Sequence, residues 1–314
     1  MTNRTKKLGY LALATSLAIG LTMSTMTTAG AAPPSVVVYD SIGATVPGNV
    51  PSQAFQATQT SEFGDRVVLA AGPRNLTSVT VLMSSWGCES GTWNGGDCFT
   101  SPGATFSHPL TLTIYAPTAG PEVGTLLATT TQTFHIPFRP SASTVCGDGR
   151  WLDGTTCYNG FATPVTFTFD GSVVLPDGVV WGISFNTSGY GAVPLGYSTE
   201  CAGTTQGCGY DSLNVGLSMA VPAVGTDVDP VGVYLDSHTA GEYCDHGLGG
   251  VDTFRSDTGC WTGFRPMARI TTSAATVGPP TNKDQCKNDG WKIFNNPSFK
   301  NQGDCVSYIN HNGS

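Results

Sequence analysis

Apolar residues recur at every second position along much of this chain, and that alternation confines it to a β fold. Leu110-Thr-Leu-Thr-Ile-Tyr115 and Val165-Thr-Phe-Thr-Phe169 place their apolar side chains on one face of an extended segment. β-branched and aromatic types dominate the related runs at 36–39, 54–58, 66–69, 76–86, 126–138, 173–175, 179–185, 213–219, 231–235 and 266–271. Pro47-Gly48-Asn49, Asp170-Gly171 and Pro176-Asp177-Gly178 supply turns between them. Charged residues are 11% of the chain against a usual ~25%, and no long stretch has an amphipathic helical period. The expected fold is all-β, an antiparallel jelly-roll-like β-sandwich. A propeller or parallel β-helix would show internal repeats, and none is visible.

Ten cysteines fall in five close pairs: Cys88 and Cys98, Cys146 and Cys157, Cys201 and Cys208, Cys244 and Cys260, Cys286 and Cys305. An even count, with no Cys-x-x-Cys and no histidine at zinc-finger spacing, points to disulfides between neighbours. The first four pairs sit in the long Gly-rich segments 87–109, 139–164, 186–212 and 238–264, which the bridges would pin.

Arg4, Lys6 and Lys7 precede an uncharged apolar run at 8–21 and the small-residue pattern Ala29-Gly30-Ala31, the order of a secretory signal peptide over 1–31. The run is shorter than the ~20 residues of a membrane span, and no later stretch could span a bilayer. Removing it changes the net charge from −8 to −11. Residues 32–280 then hold seven Arg, no Lys and nineteen acids, which disfavours nucleic-acid binding. Residues 281–314 hold four Lys and three acids. The shift falls at Gly278-Pro279-Pro280, so the expected division is a sandwich domain over 32–277, a linker over 278–282 and a Cys-stapled module over 283–314.

No catalytic signature stands out. Gly-x-Ser-x-Gly and His-Glu-x-x-His do not occur, and the even cysteine count leaves no spare thiol. Glu89, Glu200 and Glu242 lie on the cystine loops, where a hydrolase would need a carboxylate pair; solvated loop positions explain them as simply. His238, Glu242, Asp245 and His246 are a dense group of possible metal ligands without a helical spacing. For Ca²⁺ the candidates are Asp227 and Asp229, with Asp148 and Asp153 on a second acidic loop; turn-forming Asp is the competing explanation.

The tryptophans are more informative. Trp86, Trp93, Trp151, Trp261 and Trp291 lie in a cystine loop or within two residues of a Cys; only Trp181 sits clearly inside a strand run. Aromatic faces suit sugar rings, so the expected binding residues are Trp93, Trp151, Tyr158, Tyr210, Tyr243 and Trp261, unless each covers its own disulfide.

The tail reads Cys286-Lys-Asn-Asp-Gly-Trp291-Lys-Ile-Phe294-Asn-Asn-Pro297-Ser-Phe299-Lys-Asn-Gln-Gly303-Asp-Cys305-Val-Ser-Tyr308. Over 286–308 it resembles a short C-terminal segment of many secreted bacterial proteins, notably actinobacterial ones, which implies export rather than a reaction. The body, through Val38-Tyr39-Asp40, the 76–81 run and Gly178-Val-Val-Trp181-Gly-Ile-Ser-Phe185, more loosely resembles secreted bacterial β-sandwich domains attached to surface-sorting signals, although no such sorting signal follows here. The expectation is a secreted, non-enzymatic protein, extracellular or wall-associated, that binds a glycan or another extracellular ligand. A polysaccharide hydrolase and a purely structural surface protein are the alternatives.

Overall fold

The computed structural model describes residues 34–312, apart from Ala57, Asn94, residues 186–212 and Thr276. The described residues include sixteen strands: β1 Ser35–Asp40, β2 Ser52–Gln53, β3 Thr60–Val68, β4 Asn75–Ser85, β5 Thr105–Tyr115, β6 Leu126–Pro137, β7 Trp151–Asp153, β8 Thr156–Tyr158, β9 Phe161–Thr168, β10 Gly178–Ser184, β11 Leu213–Ser218, β12 Thr226–Asp227, β13 Gly232–Ser237, β14 Arg255–Thr258, β15 Arg265–Pro266 and β16 Ala268–Ser273. Two seven-stranded antiparallel sheets form a sandwich. In one, β4 carries β9 along one edge, and β16 followed by β11 along the other. The second runs β14-β13-β3-β10-β5-β6, with β12 added to β3 beyond the end of β13.

The alternation explains the packing. Phe63 and Val67 of β3, Leu110, Leu112 and Ile114 of β5, and Val179, Trp181 and Ile183 of β10 face inward, against Val79, Val81, Val165 and Phe167 of the opposite sheet. Their alternate neighbours Thr111 and Thr131 face out and hydrogen-bond each other across β5 and β6 at 2.8 Å. The sheets meet along one side where Phe134 of β6 stands edge-on to Phe167 of β9 at 4.9 Å.

Three expectations need correction. Residues 54–56 and 58 follow the two-residue β2 as a bend and turn, not a strand. Residues 173–175 contribute only a single bridge, Val174 to Asn75. The cystine segments are not loops throughout: β7 and β8 form a hairpin in the second, and β14 lies in the last. Short pieces of strand without a full alternation cycle leave no period to detect.

Four of the neighbour disulfides are present: Cys88–Cys98, Cys146–Cys157, Cys244–Cys260 and Cys286–Cys305. Cys201 and Cys208 lie outside the described residues. The chain separates into two compact units, Ala32–Gly278 holding the sandwich and another holding Pro279–Ser314. The tail unit contains a helix, α1 Gln302–Asn312, which the absence of an amphipathic period did not announce. Its apolar stripe is short, Cys305 with the half-buried Tyr308 and Ile309, little more than one turn and too brief to show a period. Phe299 packs edge-on to Phe294 and Tyr308 at 6.0 and 5.5 Å, a minimal core beside the disulfide. Among the described residues, no helix is long and apolar enough to cross a membrane.

Candidate functional site

The β7–β8 hairpin places Trp151 directly opposite Tyr158, with ring centroids 5.4 Å apart. Trp151 is 5% exposed, and its Nε1 donates to the Gly160 carbonyl at 2.6 Å. Its contribution is therefore to back Tyr158 rather than to offer a face, which corrects its expected place on an exposed platform. Just beyond β4, half-buried Trp86 meets Trp93 edge-on at 4.7 Å. Trp86 Nε1 donates to Ser84 Oγ at 3.0 Å, and Ser84 Oγ donates to Asn49 Oδ1 at 2.7 Å. This chain locks the indole and leaves the Asn49 amide nitrogen as a donor. Asn49, Ser52, Trp86, Arg150, Tyr158 and Asn159 line an open groove of about 400 Å³.

Arg139, wholly buried, holds the walls together. Its guanidinium donates to the carbonyls of Trp93 at 3.1 Å, Gly149 at 2.6 Å and Pro140 at 3.3 Å. It thereby ties the first cystine loop to the second. Burial without a carboxylate partner lowers its pKa to about 10.

Tyr243 and Trp261 do not line this groove. Tyr243 is 1% exposed, its hydroxyl accepts from the Ser237 amide at 2.9 Å, and the Arg255 guanidinium lies 4.3 Å from its ring centroid. Trp261 is half-buried against Phe63 at 5.4 Å, and its Nε1 donates to Asp257 at 2.8 Å. Tyr210 lies outside the described residues. The sequence reasoning left out Trp86, whose run resembled the end of a strand; its nearness to Cys88 was the available signal.

Several of the described loop carboxylates have structural partners. Glu89 Oε2 accepts from the Ser101 amide at 2.6 Å. Asp245 pairs with Arg255 at 2.9 Å and is held below the usual carboxylate range by it. Glu242 is half-buried, and desolvation raises its pKa. Glu200 lies outside the described residues. His238 Nδ1 stands 3.1 Å from Asp252, and both are exposed. Asp148 stands 3.8 Å from Arg150, and Asp153 is exposed at the end of β7. Cys244, Asp257 and Cys260 cluster at metal-ligand distances, but the two sulfurs are joined in a disulfide and provide no thiolate.

Asp227 is committed too: Oδ1 accepts from the Asp229 amide at 2.9 Å, and Oδ2 lies 2.8 Å from Arg265 Nε. Asp229 lines a cavity of about 510 Å³ together with the buried Asp65. Burial, then the neighbouring Asp227, pushes the Asp65 carboxyl well up, and burial likewise raises the Tyr39 phenol.

One carboxyl pair was invisible in the sequence. Glu62 of β3 and Asp236 of β13 are direct cross-strand partners on the outer face. Burial, then Asp236, raises the Glu62 carboxyl to about 7. Glu62 Oε1 and Asp236 Oδ1 are both buried without a hydrogen-bond partner among the described residues. Their separation of 174 positions hides the pairing until β3 and β13 align.

No protein-family model matches the chain, and comparison with curated proteins and with solved structures found nothing similar.

Proposed function

We propose that the sandwich is an extracellular glycan-binding domain, exported by the segment 1–31. One observation carries this reading: Trp86 and Tyr158 stand half-buried in an open groove beside the amides of Asn49 and Asn159. A pyranose presents an apolar C–H face and a rim of hydroxyls, and a groove with ring faces and amide donors complements both. Because the indole and phenol are locked from behind, little side-chain entropy is lost on binding. The likeness of the tail to segments of secreted bacterial proteins, together with four disulfides, supports export.

The test is retention on insoluble polysaccharides and Gram-positive cell walls, comparing the mature protein with Trp86→Ala, Tyr158→Ala and Trp261→Ala. The groove variants are expected to bind at least about tenfold more weakly, as when a hot-spot aromatic is truncated. Trp261→Ala is expected to bind normally. Equal binding by all four proteins overturns the assignment of the groove.

A second reading, a polysaccharide hydrolase, is favoured by the Glu62–Asp236 pair, since a carboxyl raised to about 7 beside another is a general-acid arrangement. Reducing-sugar release that Glu62→Gln abolishes would establish it.

A further inference from the structure

We infer that the groove takes a glycan bearing carboxylates, a conclusion that rests on the glycan-binding reading above. The arginines of the sandwich are unequally engaged. Residues 32–280 contain seven Arg and no Lys. Arg74, Arg255, Arg265 and Arg269 are each within 3.0 Å of a carboxylate oxygen. Arg139 is wholly buried among carbonyls, and half-buried Arg66 donates to the Thr118 carbonyl at 3.1 Å. Arg150, like Arg66, has no close carboxylate partner, but it stands on the wall of the aromatic groove. Its side chain is 38% exposed, and its nearest carboxylate, Asp148, is 3.8 Å away and itself 92% exposed. Its Nε donates to the Gly147 carbonyl at 3.1 Å, which steadies the guanidinium without neutralising it. This weakly paired arginine lines the groove with Trp86 and Tyr158.

A guanidinium offers a planar fork of donors that fits a carboxylate in bidentate fashion. A sugar ring stacked on Tyr158 or Trp86 would carry a carboxylate substituent toward that fork. The surrounding domain, with nineteen acids against seven arginines, repels polyanions at long range. Any preference for an acidic glycan therefore has to come from this local contact, which makes the inference sharp.

The carboxylate could belong to a uronic acid ring or to the lactyl and peptide groups of peptidoglycan. Calorimetric titration of the mature protein separates them, with oligogalacturonate, its methyl ester, soluble peptidoglycan fragments and neutral cello- and chito-oligosaccharides as ligands. The expected result is binding of one acidic ligand, with esterification or amidation of its carboxylates weakening affinity about tenfold or more, the range of a charge-assisted hydrogen bond. Arg150→Gln is expected to remove that difference while keeping the weaker binding, and Trp86→Ala to lose both. Equal affinity for acid and ester, or a preference that survives Arg150→Gln, overturns the inference. Binding of neutral glycans alone also overturns it and leaves the glycan reading standing. Binding of none of these ligands removes both.

Discussion

At Gly48 the groove depends on a missing atom. A β-carbon there would stand 2.7 Å from the Tyr158 ring and 2.8 Å from Trp151. The backbone of the 47–49 turn can lie on the two rings only because no side chain intervenes, and the Gly48 carbonyl then accepts from the Ala162 amide at 3.0 Å. Gly48→Ala is expected to displace Tyr158 and weaken the proposed glycan binding about tenfold or more, at a stability cost of about 1–3 kcal/mol; titration and thermal melting measure the two effects. Glu62 governs a different property. Its folded pKa of about 7 lies above the ordinary 4.5, so the folded state retains a proton that the unfolded chain releases. Its contribution to stability is complete below about 4.5 and is lost as pH rises through about 7. The melting temperature is expected to fall across this interval and the slope to become shallower in Glu62→Gln. Asp65, shifted in the same direction by burial, preserves part of the slope. A slope unchanged in Glu62→Gln would refute the assignment.

The β7–β8 hairpin and the first cystine loop act as one unit because Arg139 joins them. Its three carbonyl acceptors come from Trp93, Pro140 and Gly149, positions that no strand ladder satisfies together. Arg139→Met keeps much of the aliphatic volume but strands those carbonyls. The expected cost is about 2–4 kcal/mol, with hydrogen exchange accelerated over 88–98 and 146–157 ahead of the sandwich strands. Loss of Cys146–Cys157, which closes a separation of 11 residues, should cost about 2.5–3 kcal/mol on the chain-entropy account. Calorimetry of the paired Ser variant checks that figure. The hairpin itself was not legible in the sequence. Three-residue strands show no period; the pairing of Trp151 with Tyr158 emerges where both rings lie against Gly48 and Trp151 donates to the Gly160 carbonyl.

Across the whole sandwich, the two sheets are fastened differently at their two sides. Phe134 and Phe167 close one side by apolar contact. On the other, Arg265 of β15 reaches Asp227 of β12 at 2.8 Å, with 5% and 2% of the side chains exposed. Asp65 lies in the same field, so one guanidinium faces several carboxyls. Removing that guanidinium leaves buried negative charge uncompensated. Arg265→Met is therefore expected to destabilise by about 3–5 kcal/mol near neutral pH, with the loss shrinking in acid as the carboxyls protonate. Denaturant unfolding at two pH values tests this. A loss equal at both would show that packing, rather than charge, sets the value.

The all-β class, most strands and the four described disulfides were readable along the chain, because alternation and close cysteine spacing are local properties with direct structural meaning. Proximity in sequence placed Trp93 on the Cys88–Cys98 segment and Trp151 and Tyr158 on the Cys146–Cys157 segment, but not the link that Arg139 makes between the two. What could not be read was orientation and long-range pairing. Trp151 and Tyr158 both belong to the second cystine segment, yet one is buried and the other lines the groove, a distinction made by the hairpin register and the missing side chain at Gly48. Trp86 entered the site through contacts with Trp93 and Ser84, and Glu62 met Asp236 only when β3 paired with β13. Burial, and with it the raised pKa of Glu62 and the partial exposure of Arg150, is a property of the assembled surface. Local sequence determines which residues can face in or out; only the packed sheets decide which of them face each other.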